Sequence, residues 1–413
     1  MKKIVTLYKN AYGGLSQPAW MLAIIQLINR SGAMVLPFLS VYITSDLGLD
    51  VQHAGIILSC FGAGSMIGSY TGGILTDKIG AFKVQIISLV GGGAMIILLM
   101  FLKTFILLSA GLFFAAILTD MLRPANTSSV SMYSKPENFT RSFSLNRMAL
   151  NLGFALGPAF GGFLAAYSYN LLFIIDGCTC IIAGIVFYFY FRNRKQNPQP
   201  ITKDKEMITS NHKSPWHDSY FLGFAVLCGF FAIAFLQIFS GLPLYYRSVF
   251  QMHESMIGLL IGFNGFIVFL FEMILVYSIE KKFRPTTLIV FGTFLLAVSF
   301  MLINIFPTIA MLFIAMAILS FAEMFAMPFM VSFAVHRGSD KTRGNYVGIY
   351  TLAWSMAFII SPYLSTLIIS RWNYNILWWI VSASTLITAI LFFLIDKRER
   401  KRITLNADKI YLN

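Results

Sequence analysis

The sequence predicts an all-α integral membrane protein with twelve membrane-spanning helices in two pseudo-symmetric six-helix bundles. Three observations carry this reading. Hydrophobic residues fill 57% of the 413 positions and charged residues only 12%, with a mean hydropathy of +0.74, which leaves too little polar surface to cover a soluble globule. Apolar runs of about 20 residues, the length that crosses a bilayer, recur along the whole chain. A series of polar landmarks also repeats in order: Asp77 with Glu280, Asp120-Met121 with Glu323-Met324, Pro124 with Pro328, Arg141 with Arg343, and Pro158 with Pro362, each pair 202 to 204 residues apart. Five matches in register point to a duplicated unit.

Taken in order, the predicted spans cover 19–43, 53–75, 84–102, 104–125, 146–167 and 170–191, then 219–243, 256–279, 286–305, 308–333, 345–369 and 375–395. Between the sixth and seventh lies a polar segment, 192–218, with Pro198, Pro200 and Pro215; its composition is that of a linker. It divides an N-terminal bundle over 1–191 from a C-terminal bundle over 219–413 that ends in a short basic tail. Of the 31 Lys and Arg residues, 25 fall in the segments on the side of the termini, whereas Lys103, Arg247 and Arg371 fall on the other. The positive-inside rule then places both termini in the cytoplasm and accounts for the net charge of +14 without a nucleic-acid partner. Lys2 and Lys3 precede only a short apolar stretch, broken by Lys9 and Asn10, which is not the pattern of a cleavable signal. Cys60, Cys178, Cys180 and Cys228 all lie inside apolar runs and read as buried small hydrophobes rather than metal ligands.

The stretch Gly72-Gly73-Ile74-Leu75-Thr76-Asp77-Lys78-Ile79-Gly80-Ala81-Phe82-Lys83 reads as a cytoplasmic loop between the second and third spans. Gly73 is expected to admit a neighbouring helix, Gly80 to permit a tight reversal, and Lys78 and Lys83 to lie against anionic headgroups around the acid Asp77. The pattern G-x-L-x-D-K-x-G-x-x-K resembles the gating loop of the major facilitator superfamily of secondary transporters. That resemblance implies a twelve-helix fold in which the first, fourth, seventh and tenth helices line a central cavity. The counterpart in the second half, Ile279 to Pro285, keeps an acid and bases but has neither glycine. In the fifth span, Gly153, Gly157, Pro158, Gly161 and Gly162 are similar to the glycine-proline motif of the superfamily's antiporters, and such small residues let helices pack closely.

Charges inside spans cost about 2.5–3.5 kcal/mol each on insertion scales and are candidate functional groups by default. Arg30 lies within the first span with Gln26 one turn earlier and Asn29 beside it; Asp120 and Arg123 are three apart in the fourth span; Glu272 lies in the eighth and Glu323 in the tenth. Asp176, in the sixth span, reads as a solvated end. The cavity arrangement implied by the resemblance brings Arg30, Asp120, Arg123, Gln237 and Glu323 to one space, with Trp354 in the eleventh span suited to an adaptable apolar wall. Gln26 to Arg30, Arg123 to Asn126, and Ala322-Glu323 with Pro328 also look like motifs of the proton-coupled oligopeptide transporters, although that family's acids before the first-helix arginine are here the amides Gln26 and Asn29.

These features predict a monomeric, proton-coupled secondary transporter of the inner membrane that moves a small organic solute, with export by antiport favoured over import of a peptide-like solute. Glu323, Asp120 and Glu272 are the candidate proton carriers, and no cofactor or metal is expected beyond the proton gradient. No G-x-x-x-x-G-K-[ST] loop is present to drive transport with ATP. His53, His212, His217, His253 and His336 fall in loops or at span edges, away from any relay. A sensor or membrane enzyme on the same scaffold is the reading from another class; it lacks both an added soluble domain and a cluster of catalytic ligands.

Overall fold

The computed structural model describes residues 14–134, 139–194, 215–280, 282–338 and 342–411. Most of the expected linker, the basic residues Lys2, Lys3 and Lys9, and Lys281 of the second-half loop lie outside the described residues. Among the described residues twelve helices are long and apolar enough to cross a membrane, from Gln17–Asp46 and Val51–Ile79 to Gly344–Arg371 and Tyr374–Arg398. Each predicted span falls on one of them. The fourth, Phe105–Tyr133, continues past residue 125 because its polar end, Asn126-Thr127-Ser128-Ser129, keeps helical hydrogen bonding beyond the apolar run, and the helix of the twelfth runs on through the basic tail to Tyr411. Many large hydrophobics face outward, among them Ile106, Phe101 and Tyr277, as a lipid solvent requires. Of the cysteines, Cys180 and Cys228 are buried, but Cys178 is exposed, on the opposite helical face from Cys180.

The helix starts follow local chemistry. Ser16, Asp50, Asp218 and Thr308 each accept the backbone N–H three residues on, the usual N-cap arrangement. Interruptions mark the first, fourth and seventh spans. The first span stops at Ser31 and resumes at Val35. The fourth is interrupted at Met121, just before Pro124, and the seventh passes through a short 3-10 turn at Leu236–Ile238 before Gly241–Ser248. The tenth, Ile309–Arg337, is one continuous helix with Pro328 inside it. Side chains from the third span answer the fourth-span irregularity: Ser88 donates to Thr119 O at 3.1 Å and Gln85 to Ala125 O at 3.2 Å. Backbone polar groups in a membrane need such partners.

The chain divides into two compact units, one formed by Met1–Met207 with Tyr246–Phe269 and the other by Ile208–Tyr245 with Leu270–Asn413. The sequence boundary separates six spans from six; packing adds the end of the seventh span and the first part of the eighth to the first unit. The reason is close backbone contact, since a Cβ on Gly258 would lie 2.3 Å from Pro158 O and one on Gly162 2.5 Å from Glu254 O.

The gating stretch is more helical than expected. The second span runs to Ile79, and Gly80 alone, at φ 88° and ψ 149°, turns the chain into the next helix. This region of backbone space is open almost only to glycine. Asp77, Lys78 and Lys83 are exposed. The close approach assigned to Gly73 belongs instead to Gly72: a Cβ at Gly72 would meet Met121 Cα at 2.6 Å, whereas Gly73 has nothing within 4 Å. Gly64, Gly68 and Gly72, four apart and therefore on one helix face, form a seam against the fourth span at Phe113, Ile117 and Met121.

Candidate functional site

The intramembrane charges of the first unit gather at the first-span break. Gly32 opens it, because a Cβ there would lie 1.6 Å from Thr179 Oγ1 of the sixth span. The fifth span closes the other side: Cβ atoms on Gly153 and Gly157 would lie 2.5 Å from Arg30 Cβ and 3.1 Å from Arg30 O, and one on Gly161 2.9 Å from Met34 Cβ. The glycines of the fifth span therefore seat the stretch that carries Arg30, while Gly162 faces the eighth span. Pro158 lies within the continuous helix Phe139–Tyr167, and its carbonyl meets Gly258.

Arg30 Nε is enclosed by protein and has no hydrogen-bond partner. The titratable groups acting on Arg30 are Arg123, Asp120, Cys180 and Asp176. Asp120, 4% exposed, accepts from Arg123 Nε at 3.0 Å and from Ser65 Oγ. The Arg123 side chain is 52% exposed, so this pair has one buried and one open member. Gln26 and Asn29 are both buried, and Asn29 Nδ2 donates to Cys180 Sγ at 3.2 Å.

Asp176 is not the solvated end that its place in the sequence suggested. It is 5% exposed, and its Oδ2 accepts the backbone N–H of both Met34 and Val35 at 3.1 Å, capping the resumed helix. The sequence signal was the run of small residues Ser31-Gly32-Ala33 directly after Arg30, which marks a place where a span can be interrupted.

In the second unit the expected site residues disperse. Gln237 is 1% exposed; it donates to Ser361 Oγ at 3.1 Å and accepts from Ser365 Oγ at 2.8 Å. Its amide is committed to the eleventh span at the seventh-span interruption, which corrects the expectation that it faces an open space. Trp354 packs against Phe231, Phe235 and Tyr350, with its indole Nε1 enclosed and without a hydrogen-bond partner. Glu272 is buried and Glu323 half-buried. Among the described residues no group of His, Cys, Asp and Glu is placed to hold a metal.

A polar cluster that sequence reading missed closes the helix ends of the second unit. Asp218 accepts from Arg337 Nε at 2.8 Å, from Arg337 Nη2 at 3.2 Å and from Tyr346 OH at 3.2 Å. Arg337 also lies over the Tyr220 ring, 4.9 Å from its centroid. In the first unit Ser16 Oγ donates to Tyr133 O at 2.7 Å. Each bond ties the cap of one span to the end of the span three further on, at the spacing of the repeat. Burial pushes the Asp218 carboxyl up, but the bonds from Arg337 and from the Phe221 N–H outweigh it and hold the group below the ordinary carboxylate range. Its contribution to stability is therefore complete above about pH 4 and fades as pH falls through the lowered folded value. Asp218→Asn is expected to lower the melting temperature of the detergent-solubilised protein at neutral pH, the gap from the parent closing below about pH 4. A gap that persists unchanged into acid would refute the charge assignment.

A helical membrane protein with twelve spans, interrupted helices and charges held at the interruptions has the architecture of a secondary transporter. Residues 20–337 and 250–410 match the profile of the Major Facilitator Superfamily, and the chain belongs to that family, whose members are transporters rather than enzymes. It is similar to the uncharacterized MFS-type transporter YttB of Bacillus subtilis, with 25% identity over 91% of this chain and 94% of the relative. A Na(+), Li(+), K(+)/H(+) antiporter of Planococcus maritimus is 22% identical over 90% of this chain and 94% of its own. Among solved structures, a POT family transporter in complex with 5-aminolevulinic acid superposes with a TM-score of 0.77 at 16% identity, over 94% of this chain and 97% of that one; this likeness is one of fold.

Proposed function

We propose that the chain is a proton-coupled antiporter that exports a small organic solute across the inner membrane by alternating access, with both termini in the cytoplasm. The observation that carries this reading is the Arg30, Asp120 and Arg123 group at the first-span break, where Arg30 Nε is enclosed without a hydrogen-bond partner and Asp120 is held by Arg123 and Ser65. A desolvated cation of this kind has a strong preference for an anionic partner. The fifth-span glycines that seat Arg30 belong to the stretch that resembles the antiporter motif, and the Planococcus maritimus relative bears the name of a cation/proton antiporter. The basic excess on one side supports the orientation.

In this scheme Glu323 carries the proton. It stands in the repeat where Asp120 stands in the first half, and a membrane carboxyl that is neutral when desolvated and ionises when a cation or water reaches it provides the alternation that coupling needs. Reconstituted protein given an imposed pH gradient and a panel of dyes, short peptides, sugars and alkali cations tests the reading. Movement of one panel member against its gradient, opposite in direction to the proton, is expected. Glu323→Gln should stop accumulation while leaving substrate exchange intact, with Glu272→Gln milder. Should Glu323→Gln still concentrate the solute, another group carries the proton; should the solute move with the proton, the chain is an importer.

A further inference from the structure

The first-span break is held by Asp176, a carboxylate with no part in the coupling scheme above. Its Oδ2 accepts from Met34 N and Val35 N at 3.1 Å each, and Met34 N is shared with Gly32 O at 2.7 Å. Its Oδ1 faces the Cys180 thiol at 3.8 Å, and the sulfur is fixed in turn by Asn29. The sixth-span turn that carries Asp176 fits the gap left by Gly32, through Thr179, whose hydroxyl donates back to Asp176 O at 2.8 Å. Arg30 precedes the break by two residues, and its backbone is pressed from the other side by Gly153 and Gly157. The break is thus clamped between two spans, and among the described residues the carboxylate that bonds it is that of Asp176.

We propose that Asp176 is a second protonation site, a positioning residue whose charge sets the geometry of the first-span break and, through it, the placement of Arg30. The ionised carboxylate makes charge-assisted bonds to two N–H groups at the start of a helical segment, the arrangement that favours a negative charge most. A proton taken up on the carboxyl weakens both bonds, and the two freed N–H groups, in a region without bulk water, must find other acceptors. Continuing the first half of the helix across the gap supplies them. Linkage makes the relation reciprocal: a movement of Arg30 that pulls Met34 and Val35 away favours protonation, and protonation favours that movement. No covalent bond other than that to the proton changes.

The titratable groups facing Asp176 are Arg30 from the first span and Cys180 from its own; the third span presents Gly93 and Ile97 to this turn, and the fifth presents glycines to the break. The inference rests on the proton-coupled reading for the source of the proton, but its test needs neither a substrate nor transport. Hydrogen exchange read by mass spectrometry on the purified full chain in lipid nanodiscs, between about pH 5 and about pH 8, reports on the break once the chemical pH dependence of exchange is removed. The peptide containing Met34 and Val35 is expected to lose about tenfold or more of its protection at the acid end. Asp176→Asn should show the low-protection state at both ends, and an infrared carbonyl band of a protonated buried carboxyl should appear in the parent in acid and be missing from the variant. Protection that is independent of pH in the parent overturns the proposal even if the variant does not fold, and so does a variant that keeps the parent's pH dependence. Failure of proton-driven transport in vesicles, by contrast, sinks the antiport reading and leaves the exchange result standing.

Discussion

Arg30→Ala is expected to lower gradient-driven transport in reconstituted vesicles by about tenfold or more, whereas Arg30→Lys should keep a larger part of it. The side chain leaves the first span where Gly153 touches its Cβ, so its path is fixed and its guanidinium lies within the influence of Asp120, Arg123 and Asp176. Nε is a buried donor with nothing to donate to. Lysine restores the charge but not the planar fork, and it holds one point of contact where arginine holds two. A charge-assisted hydrogen bond is worth about 1.5–3 kcal/mol, so loss of the group should cost about tenfold or more in transport, against a partial loss for lysine. Alanine also removes a buried cation, and the melting temperature of Arg30→Ala should change little or rise. If both variants transport like the parent, Arg30 serves only packing and the site must be sought elsewhere.

The second large effect contrasts two neighbouring glycines. Gly72→Ala should destabilise the protein by about 1–3 kcal/mol, because the new methyl would meet the backbone of Met121 and overpack a seam with no flexible side chain to yield. Gly73→Ala should be neutral or slightly stabilising: it faces open space, and alanine is the better helix former by about 0.5–1 kcal/mol. Thermal unfolding of the two variants in one detergent decides the matter. Because Met121 follows Asp120 at the fourth-span irregularity, the Gly72 variant should also disturb the Asp120–Arg123 pair and lower transport. The reverse order of stabilities would show that the second and fourth spans do not meet at this seam.

Much of the fold was legible because the bilayer imposes a coarse and repetitive demand. A run of about 20 apolar residues has few fates other than a span, so the ends of the twelve helices could be read to within a few residues almost everywhere. The duplication was legible for the same reason that Ser16 with Tyr133 and Asp218 with Arg337 occupy matching places: a repeated unit keeps its punctuation. Cost made the intramembrane charges visible one by one, and the resemblance to the superfamily, not the charges themselves, suggested that Arg30, Asp120 and Arg123 share a space.

What the tertiary structure decided is which face each of these residues presents. Composition cannot distinguish Gly72 from Gly73, since adjacent positions on a helix point about 100° apart and only the approach of Met121 selects one of them. Gln237 looked like a group for a solute until Ser361 and Ser365, more than a hundred residues away in the chain, took up its amide. Asp176 looked like a span end in water until the first span was seen to stop at Ser31 and offer it two N–H groups. Periodicity and hydropathy record how much of a helix lies in lipid and leave its rotation and interruptions open. Those are set by backbone contacts between spans distant in sequence, and a polar atom's role follows from the partner that such a contact supplies.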